Sequence, residues 1–192
     1  MYVRVATESD LDGIAATLTS AFENDPLWGW AFPDRSGLEA WWQFFAGSAL
    51  RYPWTFVADD FAAVAVWIPP GGIEMTQEEE MAMGPLLEGL LGGRATEVTD
   101  LVEAFDSNHP GERPHYYLSL LGTHASKRGK GLGMALLADN LVMIDTERAP
   151  AYLESSNPAN DARYESQGFH PIGGFERPGG GAPVTTMWRD AR

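Results

Sequence analysis

The chain has 192 residues, of which 44% are hydrophobic, and this size suits one domain over residues 1–192 with a core of its own. It contains no cysteine, which excludes disulfides, a thiolate nucleophile and cysteine-ligated metal sites, and we expect no bound metal. Acidic residues outnumber basic ones by 27 to 13, and the net charge of -14 argues against nucleic acid and anionic membranes as partners.

The N-terminal segment predicts a strand followed by a helix. The strand covers YVRVA, residues 2–6, and apolar residues at helical spacing predict a helix over residues 11–22. The acids Glu8 and Asp10 come too early for an apolar signal segment, and no apolar run approaches the length that spans a bilayer. We therefore expect a cytoplasmic protein.

The middle of the chain predicts a loop, helices and a hairpin. LWGWAFPDR, residues 27–35, indicates an aromatic loop, and a second helix is expected near residues 37–52. Two β-rich runs within residues 54–70 predict a hairpin. An acidic helical insertion is expected at about residues 76–106, and HYYLSLLGT, residues 115–123, predicts a strand buried on both faces.

The C-terminal part predicts further alternation of helices and strands. A helix is expected over residues 131–146, a strand at AYLESS (151–156) and a short helix over residues 160–167. The segments FHPIGGFE and APVTTMWRD predict two last strands. This order of elements indicates the α+β class, because it lacks a regular βαβ alternation.

The most distinctive segment is KRGKGLG, residues 127–133, which immediately precedes the helix over residues 131–146. A helix N-terminus offers unpaired backbone N–H groups to an anion, and glycines let that anion approach the backbone closely. The segment does not fit a P-loop, and it does not fit the dinucleotide pattern because Leu136 stands where a third glycine belongs. A phosphate site and a flexible loop before a helix cap both remain open on the glycines alone.

The segment from Arg128 to Gly133 resembles the Arg/Gln-x-x-Gly-x-Gly/Ala motif of the GNAT superfamily of N-acetyltransferases. A strand ending in Leu121-Gly122-Thr123 precedes it at the family's spacing, and AYLESSNPANDARYESQGFHPIG resembles the family's next motif. The resemblance covers about residues 115–173. It implies the GNAT fold, a mixed and mostly antiparallel sheet of six to seven strands, with a V-shaped splay between the fourth and fifth strands and helices on its faces.

The resemblance also implies acetyl-CoA as the acetyl donor and assigns its contacts. The diphosphate is expected on the backbone of the glycine segment, and the pantetheine arm on the preceding strand end and two asparagines. These residues are Arg128, Gly129, Lys130, Gly131, Leu132, Gly133 and Met134 for the diphosphate, and Leu121, Gly122, Thr123, Asn157 and Asn160 for the arm. Turn and helix-cap roles compete for the two asparagines.

Gly122 suggests a ligand contact independently of the family. A glycine at the end of a buried strand often marks a β-bulge or the close approach of a ligand. Plain structural variation is the alternative.

Catalysis requires a group that protonates the departing thiolate and a way to neutralise the amine. Tyr164 matches the tyrosine that protonates the coenzyme sulfur in many family members, although a tyrosine here could also serve packing alone. The family's glutamate on the strand before the glycine loop is replaced by Tyr117, which leaves Glu154 and His115 as candidate bases. An amine desolvated in its pocket would need no dedicated base.

The acceptor pocket of this fold usually lies near the first two helices. Trp28 and Trp30 in the expected aromatic loop, with Asp25 beside them, would attract a cationic amine. Packing of the tryptophans in the core and a solvated helix end are the competing interpretations.

Nearly the whole chain resembles puromycin N-acetyltransferases and their relatives, which implies a small primary amine as substrate, such as an aminonucleoside or another antibiotic. A protein or peptide N-acetyltransferase and a non-catalytic acyl-CoA-binding regulator are the alternative functions. Apolar helical surface would serve a dimer, so both a monomer and a homodimer fit the sequence.

Overall fold

The computed structural model describes residues 1–111 and 113–192, and in that part of the chain seven strands form one sheet. The strands are β1 (Val3–Val5), β2 (Thr55–Ala58), β3 (Ala63–Ile68), β4 (Tyr116–Thr123), β5 (Ala151–Ser155), β6 (His170–Phe175) and β7 (Val184–Arg189). The α-helices are α1 (Leu11–Phe22), α2 (Trp28–Ala31), α3 (Leu38–Ala49), α4 (Gln77–Leu91), α5 (Ala95–Asn108), α6 (Leu132–Thr146) and α7 (Asp161–Glu165). Within the described residues, no helix has the length and apolar character needed to cross a membrane.

The sheet has the order β1-β2-β3-β4-β5-β7-β6, in which β4 and β5 run parallel and the other neighbours pair antiparallel. This arrangement confirms the predicted fold class, a mixed and mostly antiparallel sheet flanked by helices. The insertion between β3 and β4 consists of two helices, α4 and α5. Thr76 begins α4 with a capping box, because its hydroxyl accepts from the Glu79 N–H and the Glu79 carboxylate accepts from the Thr76 N–H.

Two hydrophobic cores lie on the two faces of the sheet. Alternation along β3 directs Val64 and Val66 towards the core that includes α1 and α3, and Ala65 and Trp67 towards the core that includes α6. The Trp67 indole N–H also donates to Asn140 Oδ1 of α6 at 3.0 Å. These two layers hold the central strand β4 from both sides.

Strands β4 and β5 pair over only part of their length. Their ladder joins Tyr116–Leu118 to Ala151–Leu153, whereas β4 continues to Thr123. The second half of β4 therefore leaves its edge unpaired towards β5. This separation is the splay predicted between the fourth and fifth strands.

A β-bulge lies at Ser119, not at Gly122. Val66 pairs with Leu120 and Trp67 pairs with Leu118, so Ser119 is the extra residue. The bulge exchanges the two faces of the strand: Leu118 packs into the α6 core, whereas Leu120 packs into the α1 core. Alternate residues of β4 are only half-buried, so the expectation of a strand buried on both faces is wrong.

Gly122 is required by the packing of α1. A Cβ added at Gly122 would lie 2.9 Å from Ala21 Cβ and 3.1 Å from Leu18 Cδ2, closer than carbon atoms ordinarily approach. The predicted close approach is therefore made by a helix rather than a ligand, and the bulge prediction at this position is wrong because Gly122 pairs in register with Val64.

Substitution of Gly122 by alanine should lower the free energy of unfolding by about 1–3 kcal/mol, because the new methyl group pushes α1 away from β4. Urea denaturation measures the change. Gly89→Ala is the matched control, since Gly89 lies in α4 with open space where its Cβ would be, and stability there should stay equal or rise. An equal stability of the Gly122 variant and the wild type would contradict the packing role.

Candidate active site

The glycine segment forms a tight turn that leads directly into α6. Gly129 has φ +79° and Gly131 has φ +72°, conformations that side-chain-bearing residues adopt at a cost of about 1–2 kcal/mol. The helix begins at Leu132, so the backbone N–H groups of its first turn point out beside these glycines. The positive end of the helix dipole adds to the attraction for an anion.

A cleft of about 570 Å³, called here the glycine cleft, opens over this turn and between the splayed strands. Most of the residues predicted to bind the coenzyme or act on it meet there. They are Leu121, Thr123, Arg128, Gly129, Gly131, Leu132, Gly133, Met134, Asn157, Asn160 and Tyr164. Gly122 and Lys130 do not line the cleft, because Gly122 faces α1 and Lys130 is exposed to solvent.

Gly133 lets α6 pack closely on the end of β4. A Cβ at Gly133 would lie 2.6 Å from Thr123 Oγ1, so a larger residue would force the strand end and the helix N-terminus apart. This contact places the free N–H groups of α6 next to the unpaired edge of β4. The floor and one wall of the glycine cleft are thereby fixed relative to each other.

Arg128 supplies a positive charge at the glycine cleft. Its guanidinium donates to the carbonyls of Ala21 and Ser20 at the end of α1, which orients the side chain along the cleft wall. A cation is favourable beside a helix C-terminus.

We expect Arg128→Glu to weaken acetyl-CoA binding by about tenfold or more, because a repulsive charge replaces an attractive one near the diphosphate position. Calorimetric titration measures the dissociation constant. Lys127→Glu makes the same charge change one position away at a residue outside the cleft, and binding should change little. Equal losses in both variants would point to the overall field of the protein instead of a local contact.

Tyr164 lies at the wall of the glycine cleft formed after β5. Burial raises the pKa of its hydroxyl to about 12, with smaller contributions from the charges of Asp25 and Asp161. The group therefore keeps its proton at neutral pH and can donate a hydrogen bond to a departing thiolate.

Asn157 and Asn160 reach the cleft, and each also accepts a hydrogen bond from a nearby residue of this chain. The Asn157 side chain accepts from the Ala159 N–H at 3.1 Å, and the Asn160 side chain accepts from Arg163 at 3.1 Å. Asn157 thus shapes the turn after β5, as the alternative interpretation predicted, whereas the Asn160 side chain makes no cap bond to α7, so the helix-cap alternative for Asn160 is wrong.

The predicted aromatic loop is a helix. Trp28 and Trp30 lie in α2, and Trp28 is buried, with its ring against Trp42 at 4.9 Å and stacked on Phe105 at 6.2 Å between ring centroids. The expectation that Trp28 stands exposed to a substrate is wrong, because α5 and α3 cover it. Trp30 is half-buried and carries the guanidinium of Arg177 over its ring at 4.5 Å.

Asp25 lines the glycine cleft, but its carboxylate is occupied by this chain's own groups. It accepts from the N–H groups of Leu27 and Trp28, and from the Ser156 hydroxyl at 2.9 Å. Burial raises the pKa of this carboxyl despite those bonds. Asp25 therefore ties the start of α2 to the end of β5, which makes it a support of the cleft wall.

A second concavity of about 460 Å³, called here the acidic cavity, lies at the N-terminal end of β4. The carboxylates that line it come from the loop after β3, from α4, from α5 and from β5. They are Glu74, Glu80, Asp106 and Glu154. His109, Arg113, His115 and Tyr117 complete its ionisable lining.

Glu74 lines this cavity and was not among the candidate bases predicted from the sequence. The Ser119 hydroxyl, at the β4 bulge, donates to its carboxylate. Burial, with smaller contributions from the charges of Glu154 and Asp106, raises the pKa of Glu74 to about 7, although the hydrogen bond from Ser119 acts to lower it. A carboxyl group with that pKa can both take up and release a proton near neutral pH.

Glu154 and Tyr117 come together in the acidic cavity rather than in the glycine cleft. The Glu154 side chain is 2% exposed, and its charge, after burial, raises the pKa of Tyr117 well above the usual value. Tyr117 therefore keeps its proton and cannot act as a base at neutral pH. His115 binds the Arg113 carbonyl at 2.6 Å and His109 at 3.1 Å, and burial lowers its pKa.

The bulge at Ser119 connects the two concavities. Because it exchanges the faces of β4, Tyr117 faces the acidic cavity on one side and Leu121 faces the glycine cleft on the other. Ser119 lies two residues from Leu121, about 7 Å along an extended strand. A ligand in each concavity would thus approach the other across the end of the β4–β5 ladder.

Solved structures of acetyltransferases have the same architecture. An acetyltransferase from Corynebacterium glutamicum, described as histone acetyltransferase HPA2 and related acetyltransferase, is 26% identical over 99% of this chain and 96% of its own, with a TM-score of 0.73. A polyamine N-acetyltransferase from Drosophila melanogaster is 15% identical over 98% and 99% of the two chains, with a TM-score of 0.69. Arylalkylamine N-acetyltransferase 2 from Aedes aegypti is 14% identical over 100% and 99%, with a TM-score of 0.71. No model of a known protein family matches the chain.

The 26% identity over nearly the whole of both chains, together with the glycine turn and the splayed strands, supports the GNAT superfamily, whose fold this sheet has. The likeness indicates an acetyltransferase with the GNAT fold.

Proposed function

We propose that the protein transfers the acetyl group of acetyl-CoA directly to a primary amine of a small molecule within a ternary complex. The observation that carries this proposal is the meeting of two different concavities at one bulged strand. The glycine cleft offers backbone donors to a diphosphate, and the acidic cavity offers carboxylates to an amine.

The glycine cleft suits acetyl-CoA for three reasons. Left-handed glycines and the first turn of α6 provide a phosphate site with no side chain in the way. The unpaired edge of β4 can pair with the amides of a pantetheine arm, as a strand would. A backbone N–H near Leu121 or Thr123 would then stabilise the oxyanion that forms on the thioester carbon.

The acidic cavity suits a protonated amine. Glu74 lies at the bulge, between the cavity and the cleft, and takes one proton from the ammonium group to produce the nucleophile. The neutral amine attacks the thioester carbonyl, the C–S bond breaks, and the second N–H proton passes to the departing sulfur, so that the products are the amide and the free thiol. Tyr164 stabilises the departing thiolate by donating its hydrogen bond.

The resemblance to puromycin N-acetyltransferases supports an aminonucleoside or another antibiotic amine as one candidate acceptor. Such a substrate carries an amine for Glu74 and an aromatic body for the apolar parts of the acidic cavity, Ile73 and Phe105. The antibiotic role stays a prediction.

Two-substrate kinetics test the proposal. Thiol release should require both acetyl-CoA and an amine, and reciprocal plots at several fixed amine concentrations should intersect, as for a ternary complex. Thiol release that is independent of every amine tested, or parallel lines typical of a covalent acetyl-enzyme, would contradict direct transfer.

A further inference from the structure

The carboxylates of the acidic cavity are arranged by depth. Glu74 and Glu154 lie at its inner end, where Glu154 is 2% exposed, whereas Glu80 and Asp106 are exposed at its mouth. The two groups come from different elements, so the separation is fixed by the packing of α4 and α5 beside the sheet.

Glu154 presents a buried oxygen with no hydrogen-bond donor. Its Oε1 has no hydrogen-bond partner among the described residues: His109 Nδ1 lies 3.7 Å away, and the Tyr117 and Tyr152 hydroxyls, which approach this carboxylate, leave that oxygen unpaired. An unpaired carboxylate oxygen in a buried position is unfavourable unless a ligand supplies the donor.

The basic residues of the cavity do not balance its carboxylates. The Arg113 guanidinium is directed elsewhere, because it lies 3.3 Å from Asp190 and 4.2 Å from the ring centroid of Trp188. The other ring nitrogen of His109 is engaged with His115. Four carboxylates thus line one cavity in which no described arginine or lysine forms an ion pair with them.

Electrostatic coupling reaches from the inner end to the mouth. Burial raises the pKa of Asp106, and the charges of Glu80, Glu154 and Glu103 raise it further, while His109 lowers it. The charge of Asp106 in turn raises the pKa of Glu74. A ligand with a single positive charge at Glu74 would leave the repulsion at the mouth in place.

We propose that the acceptor is a primary amine that carries a second cationic nitrogen, with the reacting amine beside Glu74 and Glu154 and the second cation beside Asp106 and Glu80. Acetylation of such an amine rests on the proposed function, whereas its binding in the acidic cavity does not. It deepens that function by naming the substrate class.

Calorimetric titration of the full chain with matched amines tests the inference. The pairs are putrescine with n-butylamine, and hexamethylenediamine with n-hexylamine, which differ in the second ammonium group. At low salt, the diamine whose length fits the cavity should bind about tenfold or more tightly than its monoamine. A partly buried charge pair contributes more to the binding free energy than a charge pair in bulk water. Thiol release with acetyl-CoA should show the same preference in kcat/KM.

Asp106→Asn should lower the ratio of diamine to monoamine affinity about fivefold or more, since it removes a charge at the mouth. Asp100→Asn is the matched control, because Asp100 is an exposed acid on the same helix that does not line the cavity, and the ratio should be unchanged. Equal affinity for both members of each pair, or equal ratios in the two variants, would overturn the inference. Failure of acetyl transfer with intact diamine preference would instead count against the proposed function.

Discussion

Glu74→Gln is expected to lower kcat/KM for amine acetylation by about a hundredfold to a thousandfold, the usual effect of removing a general base. Glutamine has almost the same shape and can still accept the hydrogen bond from Ser119, so the loop should keep its position. The variant cannot take the proton from the ammonium group. Acetyl-CoA binding should remain, because Glu74 lies outside the glycine cleft.

The pH profile gives this prediction its most specific result. The base is active when ionised, and burial raises the pKa of Glu74 to about 7, so wild-type kcat/KM should rise as the pH increases through about 7. In the glutamine variant this limb should disappear or move to the pKa of the free amine. Below that limb both proteins should be nearly equally slow.

Glu78→Gln is the matched control, because Glu78 is an exposed acid in the first turn of α4 that does not line the acidic cavity. It should keep both the rate and the profile of the wild type. If Glu74→Gln retains the wild-type limb near pH 7, another group is the base, and a similar loss in both variants would indicate a general effect of charge.

Tyr164→Phe should lower kcat by about tenfold to a hundredfold, because the departing thiolate loses a hydrogen-bond donor that acts mainly in the transition state. The dissociation constant for acetyl-CoA should change little, since the ring that packs near Phe169 is kept. Stopped-flow thiol release and calorimetry separate the two quantities.

Tyr116→Phe is the control for Tyr164→Phe. Tyr116 is the first residue of β4, and its hydroxyl donates to Glu147 at 2.6 Å. This variant therefore makes the same chemical change away from the glycine cleft. Its turnover should match that of the wild type even if its stability falls. Unchanged turnover in Tyr164→Phe would remove the role assigned to that hydroxyl.

The glycine cleft could be predicted largely from the sequence, because its signals are local. Gly129 and Gly131 adopt left-handed conformations next to a helix start, and the short spacing from Thr123 brings the strand end to the same place. The order of the longer helices and of the strands was equally accessible, since apolar periodicity marks them, whereas the four-residue helix α2 is too short to show a period. The splay between β4 and β5 was predicted from the family resemblance, because apolar periodicity does not show where two strands stop pairing.

The acidic cavity was not predicted because its residues meet only in three dimensions. Glu74 stands in IPPGGIEM, a loop without periodicity, and a single acid among apolar, proline and glycine residues was the available signal. Its position depends on the bulge at Ser119, on Ser119 itself, and on the Tyr52 hydroxyl, which accepts from the Ile73 N–H at 3.0 Å. None of these contacts is local in the chain.

The errors of the sequence analysis have a similar origin. Trp28 was expected to face a substrate because its segment was predicted to be a loop, but Phe105 of α5 covers it. Gly122 looked like a bulge or ligand contact, whereas the neighbour that requires it, Ala21, is a hundred residues earlier in the chain. Tertiary packing decided both positions, and a local pattern does not contain it.

Mass spectrometry of the reaction products tests the central claim most directly. The purified protein is incubated with acetyl-CoA labelled in its acetyl group and with a panel that contains putrescine, hexamethylenediamine and puromycin. The account predicts one labelled acetyl group on an amine of the panel, in equal amount to the thiol released. Acetyl-CoA that binds tightly but yields neither labelled amine nor thiol with any member would contradict it and favour a protein that only senses the coenzyme.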